Sequence, residues 1–121
     1  MFKEVSLQLP WPPSVNQVWA TTKRGNWYGT KIAKDYKAAV KYIVMQKNCQ
    51  GSFPKSDNIE YNLFVYPPDN RRRDLDNLNK VVCDALQDAG VYDNDCQIKR
   101  IFMEMKPQEK PGTVIVILKS M

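Results

Sequence analysis

Residues 59–90 read IEYNLFVYPPDNRRRDLDNLNKVVCDALQDAG, and the period of the apolar positions changes midway. Ile59, Tyr61, Leu63 and Val65 recur at every second residue up to Pro67-Pro68, which predicts a strand with a sharp stop. Leu78, Val81, Val82, Ala85, Leu86 and Ala89 then follow the three- and four-residue steps of a helix. Gly90 stands where a left-handed residue would end that helix, and Asp74 or Asp76 could cap its start. The segment is thus a strand and a helix joined by a dense run of charges of both signs.

The rest of the chain supplies the partners for this unit. Val5, Leu7 and Leu9 alternate with polar residues until Pro10, which predicts a first strand. Pro10 to Gly29 holds three prolines, two glycines and three tryptophans without steady periodicity, and reads as a long ordered loop. From about Lys31 to Lys47, Ile32, Tyr36, Ala39, Val40, Ile43 and Val44 outline an amphipathic helix whose opposite face carries lysines. After the connector VYDND, Ile98, Ile101, Met103 and Met105 suggest a strand, and TVIVIL near the end is a run of buried-strand type. The intervening KPQEKPG reads as a hairpin loop. The order β-α-β-α-β-β predicts one α+β domain over residues 1–121, a mixed sheet with two helices packed against it.

Composition narrows the function. With 121 residues, 43% apolar and 26% charged, the chain has room for one core, burying roughly two-thirds of its unfolded surface. No apolar run approaches the roughly 18 residues of a membrane span. The start, MFKEVSLQLPWPP, lacks the continuous apolar stretch of a secretory signal, so a soluble, unexported protein is expected. Cys49, Cys83 and Cys96 are odd in number and have no C-x-x-C spacing, which fits reduced thiols in a cytoplasm. Histidine is absent, excluding every Ser-His or Cys-His nucleophile system. Hydrolytic chemistry would have to come from carboxylates, lysines or a metal.

The formal charge of +5 favours an anionic partner. Arg71, Arg72 and Arg73 stand together, and Lys31, Lys34, Lys37 and Lys41 recur at helical spacing, so both clusters could track phosphates. On a continuous helix Asp74 and Asp76 would lie about 200° apart, whereas a capping conformation can swing them together. Lys80 is one turn beyond Asp76 on the same face. A third carboxylate would come from Asp93 or Asp95. Three ionised carboxylates about 4 Å apart would repel by about 4 kcal/mol per pair at an effective dielectric near 20, a penalty that a divalent cation removes. Oxygen-only ligands select Mg²⁺ or Mn²⁺ over zinc, and such an ion can activate water against a phosphodiester. The bland alternative is a capping Asp74, a surface ion pair between Asp76 and Lys80, and solvated arginines.

RRRDLDNLNK at 71–80, DALQDAG at 84–90, the NDCQI segment at 94–98 and the opening LPWPPSVN at 9–16 together resemble the signature of the RusA family of Holliday junction resolvases. The resemblance spans nearly the whole chain. It implies that Asp74, Asp76 and Asp95 are metal-binding catalytic aspartates, that Lys80 is the functionally important lysine, and that the protein is a homodimer acting on four-way junction DNA. It also assigns Asn16 to the amino-terminal motif, where it could orient a catalytic group or a phosphate, or merely form a turn. With the family in view, Arg71, Arg72 and Arg73 are expected to contact phosphates, with a solvated turn as the alternative. Lys31 and Lys34 either contact DNA or form a soluble surface. Trp11, Trp19 and Trp27 could stack on exposed bases or pack within their loop. The family usually has two adjacent aspartates where this chain has Asn94-Asp95, so either metal binding is weakened or Asp93 compensates. Two rival readings are a catalytically silent nucleic-acid-binding module and a metal nuclease acting on other branched DNA.

Overall fold

The computed structural model describes residues 3–14, 19–21 and 27–121. Strand β1 (Glu4–Pro10) is followed by two short strands, β2 (Trp19–Thr21) and β3 (Trp27–Gly29), and by helix α1 (Lys31–Gln46). Strand β4 (Ile59–Tyr66), helix α2 (Leu75–Asp88), a 3₁₀ turn at Asp95–Gln97, and strands β5 (Ile98–Met105) and β6 (Thr113–Ser120) complete the chain. The main sheet has the order β1-β6-β4-β5, with β4 and β5 parallel and the other neighbours antiparallel. This is the predicted α+β architecture with a mixed sheet.

The period-two residues face the helices. Leu7 and Leu9 of β1, Tyr61, Leu63 and Val65 of β4, and Val114, Val116 and Leu118 of β6 form one buried cluster with Tyr36, Val40 and Val44 of α1 and Leu78, Val82, Ala85 and Leu86 of α2. Burying one such aliphatic side chain contributes about 1.5–3 kcal/mol, so this layer holds the helices to the sheet. Because β4, α2 and β5 form a strand-helix-strand crossover between parallel neighbours, both ends of α2 are fixed relative to the sheet.

Three sequence expectations are corrected. The segment 106–112 is not a hairpin loop, because β6 lies on the far side of β4 from β5. It steps over the end of β4, with the Lys106 and Glu109 N–H groups donating to the carbonyls of Val65 and Pro67, both at 2.8 Å. The most apolar strand takes an inner position with a ladder on each side, while β5, bearing Lys99, Arg100 and Glu104, takes the edge. Gly112 (φ +92°) makes the crossing possible, since a Cβ there would sit 2.9 Å from Pro68 Cδ. Within the long loop, Trp19–Thr21 and Trp27–Gly29 pair antiparallel, and strands of three residues are too short to show a period. In α1 the buried stripe is Ala33, Tyr36, Val40 and Val44, whereas Ile32 and Ala39 face outward. Thr30 caps α1 by accepting from the Ala33 N–H at 3.2 Å, and the Tyr36 hydroxyl donates to the Pro10 carbonyl at 2.9 Å, tying the helix to the end of β1.

Among the described residues no helix is long and apolar enough to cross a membrane. The three cysteines are free thiols, Cys49 and Cys83 buried and Cys96 exposed.

Candidate active site

The charged junction after β4 is held from inside. Asp69 accepts the Arg71 N–H at 3.0 Å and pairs with the Arg73 guanidinium at 2.7 Å. Arg73 also donates to the carbonyls of Asp69 and Arg71, and its guanidinium lies 5.2 Å from the centre of the Trp11 ring. Its side chain is only 16% exposed, against 81% for Arg71. The Arg71 backbone N–H, followed by the Arg73 side chain, holds the Asp69 carboxyl below the usual carboxylate range. The three arginines are therefore not equivalent: Arg71 and Arg72 are exposed, whereas Arg73 is a brace between the 69–73 loop and the aromatic residue that follows β1.

This brace delivers the chain to α2. Asp74, in extended conformation, is the N-cap and accepts the Asp76 N–H at 2.9 Å, which decides between the two capping candidates. Asp74 and Asp76 are both exposed, with Asp76 in the first turn where an anion is favoured by the helix dipole. A cleft of about 210 Å³ opens beside Asp74, lined by Trp11, Pro12, Ser14, Arg72 and Asn77 among others.

Further along α2, Lys80 and Asp95 share a second cleft of about 260 Å³ with Asn79, Cys83, Asp84, Ile98 and Ile101 of β5. Burial pushes the Asp84 carboxyl upward; Lys37 opposes this, Asp95 adds to it, and Lys80 opposes it. Asp84 is thus a fourth carboxylate beside the predicted set, hidden in the sequence by its place in the apolar run of α2. Burial likewise raises the Cys83 thiol to about 11, so it stays protonated.

Asp95 opens the 3₁₀ turn that leads into β5. Asn94 caps this turn by accepting the Cys96 N–H at 2.8 Å, a task that asparagine and aspartate perform equally well. Asp93 is exposed next to it. Gln97 closes the turn from below, and Gln87 of α2 accepts the Asp95 N–H at 2.9 Å. Neither glutamine stood out in the sequence except as a letter of the NDCQI motif or of the DALQDAG run.

Lys31 and Lys34 lie on the exposed face of α1, Lys31 at 3.9 Å from Asp35. Asn16 lies outside the described residues, as do the side chains of Trp19 and Trp27. The structure thus groups Asp74 with Asp76 at the start of α2, and Asp95 with Lys80 in the cleft beside β5. The donors are all carboxylate oxygens, which suits a hard divalent cation. Among the described residues, however, no three carboxylates or thiols stand close enough together to hold an ion.

Residues 10–118 match the family described as endodeoxyribonuclease RusA. The chain is 32% identical over 116 residues to the crossover junction endodeoxyribonuclease RusA of Escherichia coli K12, covering 96% of this chain and 94% of that protein. It is 30% identical over 115 residues to the corresponding enzyme of Enterobacteria phage 82, covering 95% and 93%. Against that of Enterobacteria phage HK97 the identity is 35% over 99 residues, covering 81% and 79%.

Proposed function

Since the chain belongs to the RusA family of endodeoxyribonucleases, we propose that it is a structure-specific nuclease that resolves four-way DNA junctions by paired, symmetric, divalent-metal-dependent nicks in recombination and repair. The observation that carries this reading is the extent of the match, which runs through both charged segments, 69–80 and 93–97, and through the PWPP segment whose Trp11 ring lies against Arg73 of the first of them.

In this reading the carboxylates of Asp74 and Asp76 at the start of α2 and of Asp95 in the neighbouring cleft, which do not close around one point in the structure, would be the ones to hold Mg²⁺, or Mn²⁺ in its place, and the ion would supply an activated water and neutralise charge at the phosphodiester. Lys80, exposed on the wall it shares with Asp95, places a cation where negative charge develops on the phosphate or the leaving oxygen. Arg71 and Arg72 grip phosphates beside the cut, and Lys31 and Lys34 extend the basic surface along α1. Arg73 serves the same site from within, as the brace behind Asp74. Asn16 belongs to the DNA-facing set by its place in the amino-terminal motif. The free thiols are consistent with a cytoplasmic setting.

A four-way junction has approximate two-fold symmetry and needs two matched nicks, which a C₂ homodimer provides. Strand β5 supports this reading, because it is an edge of the main sheet and carries Ile101 and Phe102, 51% and 50% exposed.

The test is incubation with a synthetic mobile four-way junction, in Mg²⁺ or EDTA, beside a linear duplex of the same sequence. Paired symmetric nicks only in the junction with Mg²⁺ are expected. Equal cutting of Y-shaped or linear DNA would move the assignment to a general branched-DNA nuclease, and tight binding without cutting would make the protein a silent junction-binding module.

A further inference from the structure

Gln97 is the one buried polar side chain in the core of the described residues, 4% exposed. A buried amide is tolerated only when its donors and acceptors are satisfied, and here they all are. Its Oε1 accepts the N–H groups of Asp93 at 2.8 Å and Asn94 at 3.0 Å. Its Nε2 donates to the carbonyls of Pro54 at 2.8 Å and Asp57 at 3.0 Å, with a longer contact to Phe53 at 3.4 Å. The connector that carries Asp95 is thereby tied to the loop between α1 and β4. Backbone bonds reinforce the tie, the Gly51 and Phe53 N–H groups donating to the carbonyls of Gly90 at 2.7 Å and Val91 at 3.1 Å.

The opposite side of the turn is held by α2. Gln87 Oε1 takes the Asp95 N–H itself at 2.9 Å, and the Tyr92 hydroxyl donates to the Cys83 carbonyl at 2.7 Å. Asp95 therefore stands on a three-residue turn gripped from two directions, while its carboxylate stays exposed in the cleft with Lys80. The side chains of Gln97, Gln87 and Tyr92, bonded to backbone groups, thus fix the backbone from which this carboxylate projects.

We infer that Gln97 and Gln87 are positioning residues for the cleavage reaction, holding the Asp95 turn between the 53–57 loop and α2 so that the carboxylate meets the rest of the site in one orientation. The inference rests on the reading of Asp95 as a catalytic carboxylate. Partners of this kind, one bond removed from a ligating group, typically change metal affinity or activity about 10–100-fold when removed.

The experiment centres on Gln87, which is half-buried and whose side-chain bond goes to the Asp95 amide. Gln87→Leu removes the acceptor and Gln87→Glu keeps it. Measured are kcat and KM on a four-way junction, the Mg²⁺ concentration for half-maximal cleavage, the thermal midpoint, and amide hydrogen exchange at residues 93–97, with Asp95→Asn alongside. Expected for Gln87→Leu are a kcat lowered about tenfold, an increased Mg²⁺ requirement, faster exchange of the Asp95 amide, and unchanged KM and midpoint. Gln87→Glu should restore all of them. Gln97→Leu should speed exchange across the whole turn and lower kcat further. If Asp95→Asn is inactive while Gln87→Leu and Gln97→Leu cut like the parent protein, the positioning role is overturned and the catalytic reading survives. If Asp95→Asn itself cuts normally, the catalytic reading falls and the positioning role falls with it.

Discussion

Asp74 does two jobs at once, and substitution can separate them. As the N-cap it accepts the Asp76 N–H at 2.9 Å, and as an exposed carboxylate it borders the cleft with Arg72 and Asn77. Asparagine caps as well as aspartate does, whereas alanine costs about 1 kcal/mol. Asp74→Asn should therefore leave the thermal midpoint in place and abolish cleavage, while Asp74→Ala should lower both. Asp76→Asn should retain junction binding in a gel-shift assay and lose cleavage; a variant that still cut at the normal rate would remove Asp76 from the site. Asn94 is the converse case, since its side chain is engaged with the Cys96 N–H. Asn94→Asp should leave the thermal midpoint unchanged, because either residue caps the turn.

At the scale of elements, the 69–73 loop reads its own pH. The Asp69 carboxyl is held below the ordinary aspartate value of about 3.9, first by the Arg71 N–H and then by Arg73. Its contribution is therefore present above that ordinary value and disappears as pH falls through the lower folded-state one. Between about pH 5 and about 2 the parent protein should lose thermal stability more steeply than Asp69→Asn, which a pH series of melts would measure. The arginines should separate into two classes. Reversing the exposed Arg71 or Arg72 to glutamate should weaken junction binding and reduce its salt slope by about one for each phosphate no longer neutralised. Arg73→Ala should instead lower the melting midpoint, since it removes the partner of Asp69 and uncovers Trp11. The crossing over β4 is as specific: Gly112→Ala meets Pro68 and a φ of +92°, and should destabilise the protein by more than about 1 kcal/mol in denaturant titration.

On the scale of the whole molecule, the sheet has one face under both helices and one edge, β5, next to the cleft of Lys80 and Asp95. A second copy docked along that edge would bring two sites close to the symmetry axis of a junction. With β5 as the contact of the proposed dimer, Phe102→Lys, on the same strand but outside the cleft lining, should shift the protein to monomer in sedimentation while leaving its far-UV spectrum unchanged, and junction cleavage should fall with the dimer fraction. A sedimentation profile unaffected by the substitution would remove β5 as the proposed contact, and a monomer in the parent protein would remove the dimer itself.

What the sequence by itself determined were the features encoded within a few residues: the strand at 59–66, the helix at 75–88 with its glycine at 90, the strands at each end, and the identity of the charged groups. Periodicity, capping and turn chemistry act over one or two turns of chain, so they can be read without a fold. The tertiary structure alone decided the rest, because the contacts involved join distant positions. Whether β6 follows β5 or passes to the other side of β4 depends on which ladders bury the most apolar surface. That Arg73 turns inward while Arg71 and Arg72 stay outside depends on Trp11, which arrives from the segment after β1. The three-residue strands of the β2-β3 pair left no period to read. Gln97 is an inconspicuous polar letter until residues 40 to 44 positions away supply the carbonyls that make it the anchor of the Asp95 turn.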